Sequence, residues 1–344
     1  MDKRKLVITD IMPDSIQPYM YSSGIYNSLT NDSTSKNITK SEQINENTIN
    51  PDKHFTFGWS VFDASLEFWS IMQEGVLSKA KELGIDVIKH DEKSDSIEMI
   101  TGSIDLIKKG VNALLIAPYN PEGLPFIVAE ADKNQIPVVV LDIGTGGANV
   151  AVFIVSDSFG GGIYAGEYAL NLIKKYSIES TNVAIIKVQE TAKFALLRGL
   201  GFKGVMIENG YTVVAEVTAN SVQSQGYEAM KNILATYADD LAVVFCENGP
   251  MTLGAAQALD EAGKKGEIML IGFDSGPSII AGIKNGSIQG TIAQEPFLMG
   301  EVSVEVANSL LLGIPVTYDD NKEKTILMEV YLIDESGEAL RSIG

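Results

Sequence analysis

The chain has 344 residues, 26 basic and 45 acidic, and its formal net charge of −19 at pH 7 repels a phosphate backbone. No cluster of basic residues offsets this charge, which argues against a nucleic-acid-binding protein. A single cysteine, Cys246, excludes an internal disulfide and a cysteine-based metal site, and two histidines leave few ligands or general bases, so we expect no metal or cofactor.

The first 54 residues differ in composition from the rest of the chain. Between Asn27 and Asn50, 14 of 24 residues are Ser, Thr or Asn, and no apolar period emerges. Such a segment cannot bury enough apolar surface to offset its ordering entropy, so we predict a flexible polar leader over residues 1–54. Within it, only the stretch LVITDI at Leu6–Ile11 resembles a strand.

We predict neither a signal peptide nor a membrane span from this sequence. Asp10 and Asp14 interrupt the first apolar stretch too early for a signal sequence, and no run of 18 apolar residues occurs. Two alternatives stay open: a cytosolic protein, or an exported one whose targeting or anchoring segment is absent from this chain. In the second case the polar leader would suit a tether.

From Phe55 onward, short apolar runs alternate with segments of helical spacing. Phe68, Met72, Val76, Ala80 and Leu83 fall on one helical stripe. Ile97, Ile100, Ile104 and Ile107 fall on another, and Gly84 and Gly110 stand where helix C-caps are expected. The runs predicted as strands are Phe57–Phe62, Asp86–Lys89, Ala113–Ala117, Val138–Leu141, Phe153–Val155, Val183–Lys187, Thr212–Val217, Ala242–Cys246, Met269–Phe273 and Gly290–Ala293.

This alternation predicts an α/β protein with parallel sheets. About ten strands exceed one doubly wound sheet, so we predict two similar lobes. Ligands of such sheets bind beyond the carboxyl ends of the strands. Polar residues stand at those points, together with Phe68 and Trp69: Asp63, Tyr119, Asn120, Asp142, Asn248, Asp274 and Gln294. Carboxylates and amides bind vicinal hydroxyls and aromatic faces cover a sugar ring, so the set favours a polyhydroxyl ligand.

Residues 55–344 resemble the type I periplasmic sugar-binding proteins, the ribose- and xylose-binding receptors of ABC importers. The resemblance is carried by eight stretches in matching order and spacing: FDASLEFWSIMQEG (62–75), LLIAPYNPEGL (114–124), IPVVVLDIG (136–144), VSDSFGGGIYAGEY (155–168), LLRGLGF (196–202), VVFCENGPMTLGAAQAL (243–259), IGFDSG (271–276) and GTIAQEP (290–296). The LEFW and APYN stretches look closer to xylose-binding than to ribose-binding proteins.

The resemblance implies a binding site and assigns roles to its residues. Phe68 and Trp69 match the aromatic residues that stack on the sugar, and Asp142 matches the aspartate that accepts hydrogen bonds from ring hydroxyls. Arg198 matches the arginine that contacts the sugar from the second lobe. The remaining polar partners would be Asn248, Asp274 and Gln294, with Asn220 and Tyr119 as secondary candidates.

The sequence departs from the family pattern at three positions. Ile143 replaces an arginine of the ribose-binding pattern, Ser65 an arginine of the xylose-binding pattern, and Ser221 a stacking aromatic residue. The resemblance therefore predicts a monosaccharide, with a pentose such as D-xylose first and ribose or a hexose next.

The same residues also have purely structural interpretations. Trp69 could be a core residue, and Asp142, Asp274 and Asn248 could be helix caps or turn residues. Arg198 has independent support, because it is the only arginine between Lys5 and Leu340 in a chain that otherwise uses lysine. Its planar five-donor group has a geometry that lysine cannot supply.

The resemblance further implies two lobes, 55–156 with 294–323 and 157–293 with 324–344, joined by a three-segment hinge near Ser156, Gln294 and 321–324. Sugar would shift the population of the receptor towards a closed form that a membrane partner recognises. That partner would be an ABC permease or, alternatively, a sensor histidine kinase of a two-component system, and the location extracytoplasmic.

Two other classes are disfavoured. The effector domain of a LacI-type repressor shares the fold but would need a basic helix-turn-helix within residues 1–54, which are nearly neutral and aperiodic. An enzyme is disfavoured because there is no phosphate-binding GKS/T loop and no G-x-S-x-G nucleophile motif; neither histidine adjoins a candidate serine. We therefore predict a binding protein that carries out no chemistry.

Overall fold

The computed structural model describes residues 54–189 and 192–341. Within them the chain divides into two compact units. The first unit runs up to Val155 and adds Pro296–Leu327, and the second comprises Ser156–Glu295 and the chain from Met328 onward. Of the predicted leader only His54 is described, so the leader and its strand-like stretch at Leu6–Ile11 lie outside the described residues.

The first unit is built on one six-stranded sheet with the order β2-β1-β3-β4-β5-β11, in which β1 to β5 pair in parallel. Its strands are β1 (Thr56–Val61), β2 (Asp86–Asp91), β3 (Ala113–Ala117), β4 (Val138–Leu141), β5 (Val152–Ser156) and β11 (Thr325–Met328). Its helices are α1 (Glu67–Glu82), α2 (Ser96–Lys108), a 3₁₀ turn (Pro121–Gly123), α3 (Leu124–Lys133) and α9 (Pro296–Leu312).

The second unit repeats this order in a seven-stranded sheet, β7-β6-β8-β9-β10-β12-β13, whose last two strands are antiparallel. Its strands are β6 (Asn182–Lys187), β7 (Thr212–Thr218), β8 (Val243–Cys246), β9 (Met269–Phe273), β10 (Gly290–Ala293), β12 (Tyr331–Ile333) and β13 (Ala339–Leu340). Its helices are α4 (Ser158–Tyr176), α5 (Lys193–Glu208), α6 (Gln223–Tyr237), α7 (Gly249–Glu261) and α8 (Pro277–Lys284).

The apolar runs form strands because both faces of each sheet are covered by helices. Alternate residues of β6 join different core clusters: Val183 and Ile185 pack into one, Ala184 and Ile186 into the other. All ten predicted strands are present, with ends shifted by a residue or two, and the prediction of two α/β units with parallel sheets is confirmed.

In both units the strand order reverses between two neighbouring strands of the sheet, which are the first and third strands of the unit in chain order. In the first unit this switch point lies between β1 and β3, where Val61 pairs with Ala117; in the second it lies between β6 and β8, where Ile186 pairs with Cys246. Ligands of doubly wound sheets bind at such switch points, beyond the carboxyl ends of the strands. The residues that follow these four strands are therefore candidates for ligand binding.

The boundaries of the units lie near the predicted lobe boundaries, at Val155/Ser156, Glu295/Pro296 and Leu327/Met328. The third lies a few residues after the predicted 323/324, because Thr325–Met328 pairs as β11 in the first unit's sheet. The assignment of these segments to ligand-closing lobes, and the hinge itself, stay predictions. No helix within the described ranges is long and apolar enough to cross a membrane.

Close helix packing fixes α5, which carries Arg198, against α4. A Cβ atom built on Gly201 would lie 2.4 Å from the Phe159 carbonyl oxygen, and one on Gly162 would lie 2.1 Å from the Arg198 carbonyl oxygen. Because both neighbours are backbone atoms, neither helix can move aside locally. Glycine at these positions therefore sets the distance between α4 and α5.

Replacing Gly201 by alanine is expected to lower the free energy of unfolding by about 2 kcal/mol or more, because the added methyl group overpacks a backbone contact. The matched control is Gly282→Ala in α8, where the new Cβ would meet only the end of the Ile288 side chain, 2.6 Å from its Cδ1 atom. Both changes raise helix propensity equally. Urea denaturation measures the difference, and equal stability of the two variants would contradict the packing argument.

Candidate functional site

Four aromatic side chains form a cluster at the switch point of the first unit. Phe62 follows β1, Phe68 and Trp69 lie in the first turn of α1, and Tyr119 follows β3. The Phe62 and Trp69 rings stack with centroids 4.9 Å apart, and Phe68 and Tyr119 each approach a member of this pair edge-on. Trp69 is buried, Phe68 is half-buried and Tyr119 is exposed. The three predicted aromatic residues are thus brought together by Phe62, which the sequence had assigned only to a strand.

Asp142 follows β4, the neighbour of β3, at the same edge of the sheet. Its φ of 66° lies in the left-handed region, which costs free energy for a residue other than glycine. Its amide donates to the Ile154 carbonyl at 2.8 Å, and only 5% of the residue is exposed. The backbone therefore holds this carboxylate in a fixed, largely buried position.

Asp63 and Ser65 form a small polar group beside the aromatic cluster. The Ser65 and Ser94 hydroxyls donate to the Asp63 carboxylate, and these hydrogen bonds lower its pKa. Ser65, which stands where the xylose-binding pattern has an arginine, thus contacts an anion. Asn120 accepts a hydrogen bond from the Glu122 amide as the cap of the 3₁₀ turn, which agrees with its interpretation as a loop residue.

In the second unit a hydrogen-bonded network joins the ends of β8, β9 and β10. Asp274, after β9, accepts from the Gly249 amide through Oδ2 at 3.0 Å and from the Gln294 side-chain nitrogen through Oδ1 at 2.7 Å. Gln294 is 5% exposed, and its Oε1 atom is buried without a hydrogen-bond partner among the described residues. A buried carbonyl oxygen of this kind is normally satisfied by water or by a ligand donor.

Asn248 caps α7, with its side-chain oxygen accepting from the Met251 amide at 3.3 Å. The capping role considered for this residue is therefore real. The side chain is only half-buried, so its amide group keeps some exposed surface. Asp274 does not cap α8, whose N-cap is Gly276 without a side-chain hydrogen bond.

Arg198 is 3% exposed and lies beside this network. Its guanidinium carbon is 3.8 Å from the centre of the Phe273 ring, and Nη1 donates to the Glu247 carbonyl oxygen at 2.8 Å. Nε donates to the Ser158 hydroxyl at 3.4 Å. These contacts orient the planar group, which lysine could not reproduce.

The two units place an aspartate at equivalent positions. Asp274 has a φ of 77° and donates its amide to Ile292 at 2.8 Å, as Asp142 does to Ile154. Each aspartate follows the fourth strand of its unit and bonds the fifth. The same strained backbone therefore presents one carboxylate at the carboxyl edge of each sheet.

Asn220 does not join the network. It is exposed after the edge strand β7, with a φ of 51°, and its side chain donates to Gln225 at 2.8 Å. β6 separates β7 from β8 in the sheet. Ser221, where the family has a stacking aromatic residue, is also left-handed. The structure thus bonds Asp274 to Gln294 and places Arg198 against Glu247 and Phe273, the residues that precede Asn248 and Asp274, whereas Asn220 lies apart.

Two buried glutamates were not predicted from the sequence, and the carboxyl group of each contacts the backbone beside a switch point. Glu92 follows β2 and Glu247 follows β8; neither is exposed. Burial raises the pKa of each carboxyl group to about 8. Glu247 directly after four apolar residues was a usable signal, whereas Glu92 lies within the charged stretch HDEKSD, which is typical of an exposed loop. Among the described residues no cluster of His, Cys, Asp and Glu could hold a metal ion.

Comparison with known proteins identifies the family. A sequence model described as periplasmic binding protein domain matches residues 57–315. The chain belongs to this family. Its members are receptors rather than enzymes, and the prediction that the chain is not an enzyme is confirmed by this membership.

Curated relatives of this binding protein carry sugar-related names. The chain is 31% identical over 261 residues to the ribose import binding protein of Bacillus subtilis, covering 76% of this chain and 83% of the relative. It is 32% identical to the ribose import binding protein of Haemophilus influenzae, covering 72% and 82%. The resemblance to sugar receptors of ABC importers is thereby confirmed.

Solved structures show the same fold. A solute-binding protein from Bacillus halodurans with bound myo-inositol matches with a TM-score of 0.70 and 24% identity, over 82% of this chain and 95% of its own. One from Actinobacillus succinogenes with bound D-allose matches with a TM-score of 0.72 and 22% identity, over 82% and 98%. These matches confirm the type I binding-protein fold. The roles of the individual site residues stay predictions.

Proposed function

We propose that the chain is an extracytoplasmic monosaccharide receptor that delivers its sugar to an ABC permease. In each unit, the candidate ligand-binding residues are the strand-end residues described above. The aromatic cluster with Asp142 would cover a ring face and accept from hydroxyl groups. Arg198, Asn248, Asp274 and Gln294 would supply the remaining donors and acceptors.

The observation that carries this proposal is the network around Asp274. Its oxygens are oriented by Gln294 and Gly249, and the Gln294 Oε1 atom beside it is a buried acceptor without a partner in residues 54–189 and 192–341. Vicinal hydroxyl groups supply donors at the spacing of neighbouring carboxylate and amide oxygens. A sugar would therefore satisfy an acceptor that is otherwise costly to bury.

For the sugar itself we propose an aldopentose, with D-xylose and D-ribose as the two candidates. The LEFW and APYN stretches favour xylose, and the names of the relatives in Bacillus subtilis and Haemophilus influenzae favour ribose. Neither family arginine is present at Ser65 or Ile143. In the family pattern these two arginines would contact sugar hydroxyl groups. Because both are absent here, a hexose such as D-allose is included in the same test.

For the membrane partner we propose the permease, because the relatives are named import binding proteins. The alternative, a sensor histidine kinase, depends on the Ser/Thr/Asn-rich stretch between Asn27 and Asn50, whose composition suits a tether. Co-purification from membranes with and without sugar distinguishes the two partners.

Sugar binding is expected to raise the melting temperature. At a ligand concentration of 100 Kd the added stability is about 2.7 kcal/mol, which corresponds to roughly 4–5 °C for a protein of this size. The panel comprises D-xylose, D-ribose, D-allose and D-glucose, with glycerol as the non-sugar control. A flat response to all four sugars would contradict the proposed function.

A further inference from the structure

The two buried glutamates follow different strands, β2 in the first unit and β8 in the second, but both reach the switch point of their unit. Each carboxyl group accepts a backbone amide just after a switch-point strand, Tyr119 after β3 and Val188 after β6. Burying a carboxyl group costs free energy, and a core that needed only stability would use an apolar residue there. Because a buried carboxyl group occurs beside the switch point of both sheets, the two call for a common explanation.

Glu92 joins three elements of the first unit. Its Oε2 atom accepts the Tyr119 amide at 2.7 Å, just after β3, and its Oε1 atom accepts the Ser60 hydroxyl of β1 at 2.8 Å. The Ser103 hydroxyl of α2 donates in turn to Ser60 at 3.2 Å. The carboxyl group thereby fixes the backbone of Tyr119, whose ring contacts the aromatic cluster through Phe62.

Glu247 does the same in the second unit. Its Oε2 atom accepts the Val188 amide at 2.8 Å, just after β6, and its carbonyl oxygen accepts from Arg198 Nη1 at 2.8 Å. Its Oε1 atom is buried and has no hydrogen-bond partner within the part of the chain that the structure describes, and a Cβ atom on Gly199 would lie 2.4 Å from it. The next residue is Asn248. The Glu247 carboxyl group thus joins β8 to the end of β6, and its backbone carbonyl oxygen joins β8 to the helix that carries Arg198.

We propose that Glu92 and Glu247 are positioning residues for ligand binding. The Glu92 carboxyl group fixes the backbone of Tyr119, itself a candidate ligand-binding residue. The Glu247 carboxyl group fixes the Val188 amide at the end of β6, and thereby holds in place the residue whose backbone carbonyl oxygen contacts Arg198 and which precedes Asn248. Neither carboxyl group contacts the ligand. This inference rests on the proposed function, and its test must separate the two.

The test measures binding of D-ribose and D-xylose by isothermal titration calorimetry at pH 6.5. Glu247→Ala is expected to weaken binding at least tenfold, and Glu247→Gln, which keeps an oxygen for the Val188 amide, to restore it to within threefold of wild type. Glu92→Ala is likewise expected to weaken binding at least tenfold, and Glu92→Gln to restore it to within threefold of wild type. Glu228→Ala removes an exposed carboxylate of the same unit and serves as the control. Alanine variants that bind as wild type, or glutamine variants as weak as alanine, would overturn the proposal.

A second measurement does not depend on the ligand. Hydrogen exchange of the free full-length protein should show the Val188 amide protected in wild type and in Glu247→Gln but not in Glu247→Ala, with Ile185 within β6 unchanged in all three. If wild type binds no sugar, the proposed function fails and this exchange pattern alone decides the positioning role. If Glu247→Ala does not fold, Gly199→Ala takes its place: its methyl group displaces the carboxyl from the opposite side, and unchanged exchange at Val188 would contradict the proposal.

Discussion

Arg198→Ala is expected to weaken monosaccharide binding by roughly 30- to 150-fold, which corresponds to about 2–3 kcal/mol for a lost charge-assisted contact. The side chain is 3% exposed, stacked on Phe273 and bonded to the Glu247 carbonyl oxygen. Its removal therefore leaves a buried carbonyl oxygen and an aromatic face without their cationic partner. The free energy of unfolding of the unliganded protein should fall as well, by about 2 kcal/mol.

Two further variants make this expectation specific. Arg198→Lys keeps the charge but not the planar group, so it should recover part of the stability and little of the affinity. Arg341→Ala removes an exposed arginine that pairs with Glu295 at 2.9 Å and should change neither quantity by more than about 0.5 kcal/mol. Calorimetry with D-ribose and D-xylose gives the affinity, and urea denaturation the stability. Binding by Arg198→Ala within twofold of wild type would remove this arginine from the site.

The strands were the most predictable part of the fold, for a physical reason. A strand of a parallel sheet covered on both faces is a continuous apolar run, as in Val138–Leu141 and Met269–Phe273. The three strands at the end of the chain were not predicted. Thr325–Met328 and Tyr331–Ile333 are short apolar runs that are only partly buried, and Ala339–Leu340 is exposed. Their pairing is fixed by the sheets they complete rather than by their own composition.

The stripe on α2 shows where periodicity fails. The four isoleucines predicted the buried face, yet Ile97 is 73% exposed, and the buried residues are Met99, Ser103, Leu106 and Ile107. The true face includes a serine, buried because it bonds Ser60. Hydrophobic spacing alone cannot indicate a buried polar residue whose partner lies on a distant strand.

The candidate site likewise has a part that the sequence predicts and a part that it does not. Residues directly after strands could be named from the sequence, because the carboxyl edge of a parallel sheet is where ligands bind. The contacts between them could not: Asp274 meets Gln294, and Arg198 meets Phe273, only through the order of the strands and the packing of α5. Glu92, within a run of charged residues, had no sequence signal at all.

The stability of the protein is expected to fall as the pH rises from about 5 to 8. Glu92 and Glu247 have pKa values raised by burial to about 8 in the folded state, from a reference value of 4.5. Between these two pH values the folded state holds protons that the unfolded state has released. Each rise of one pH unit therefore lowers the free energy of unfolding. Above about 8 both states are ionised and the effect levels off. Asp63, Glu130 and Glu261, whose pKa values are lowered, act only below this window.

The double variant Glu92→Gln/Glu247→Gln isolates this effect, because it removes the two titrations and keeps an acceptor for each backbone amide. Around Glu247, Arg198 and Lys187 favour the ionised form and Glu216 opposes it; beside Glu92, Asp91 opposes it. Burial is the larger influence on both groups. Between pH 5 and pH 9 we expect wild type to lose on the order of 5 kcal/mol more unfolding free energy than the variant. Urea denaturation across this range measures it, with Glu228→Gln/Glu338→Gln as the exposed control pair. Self-repulsion of the −19 charge acts on wild type and on the buried double variant alike. If the free energy of unfolding of the two proteins changes with pH in parallel, neither glutamate is held neutral.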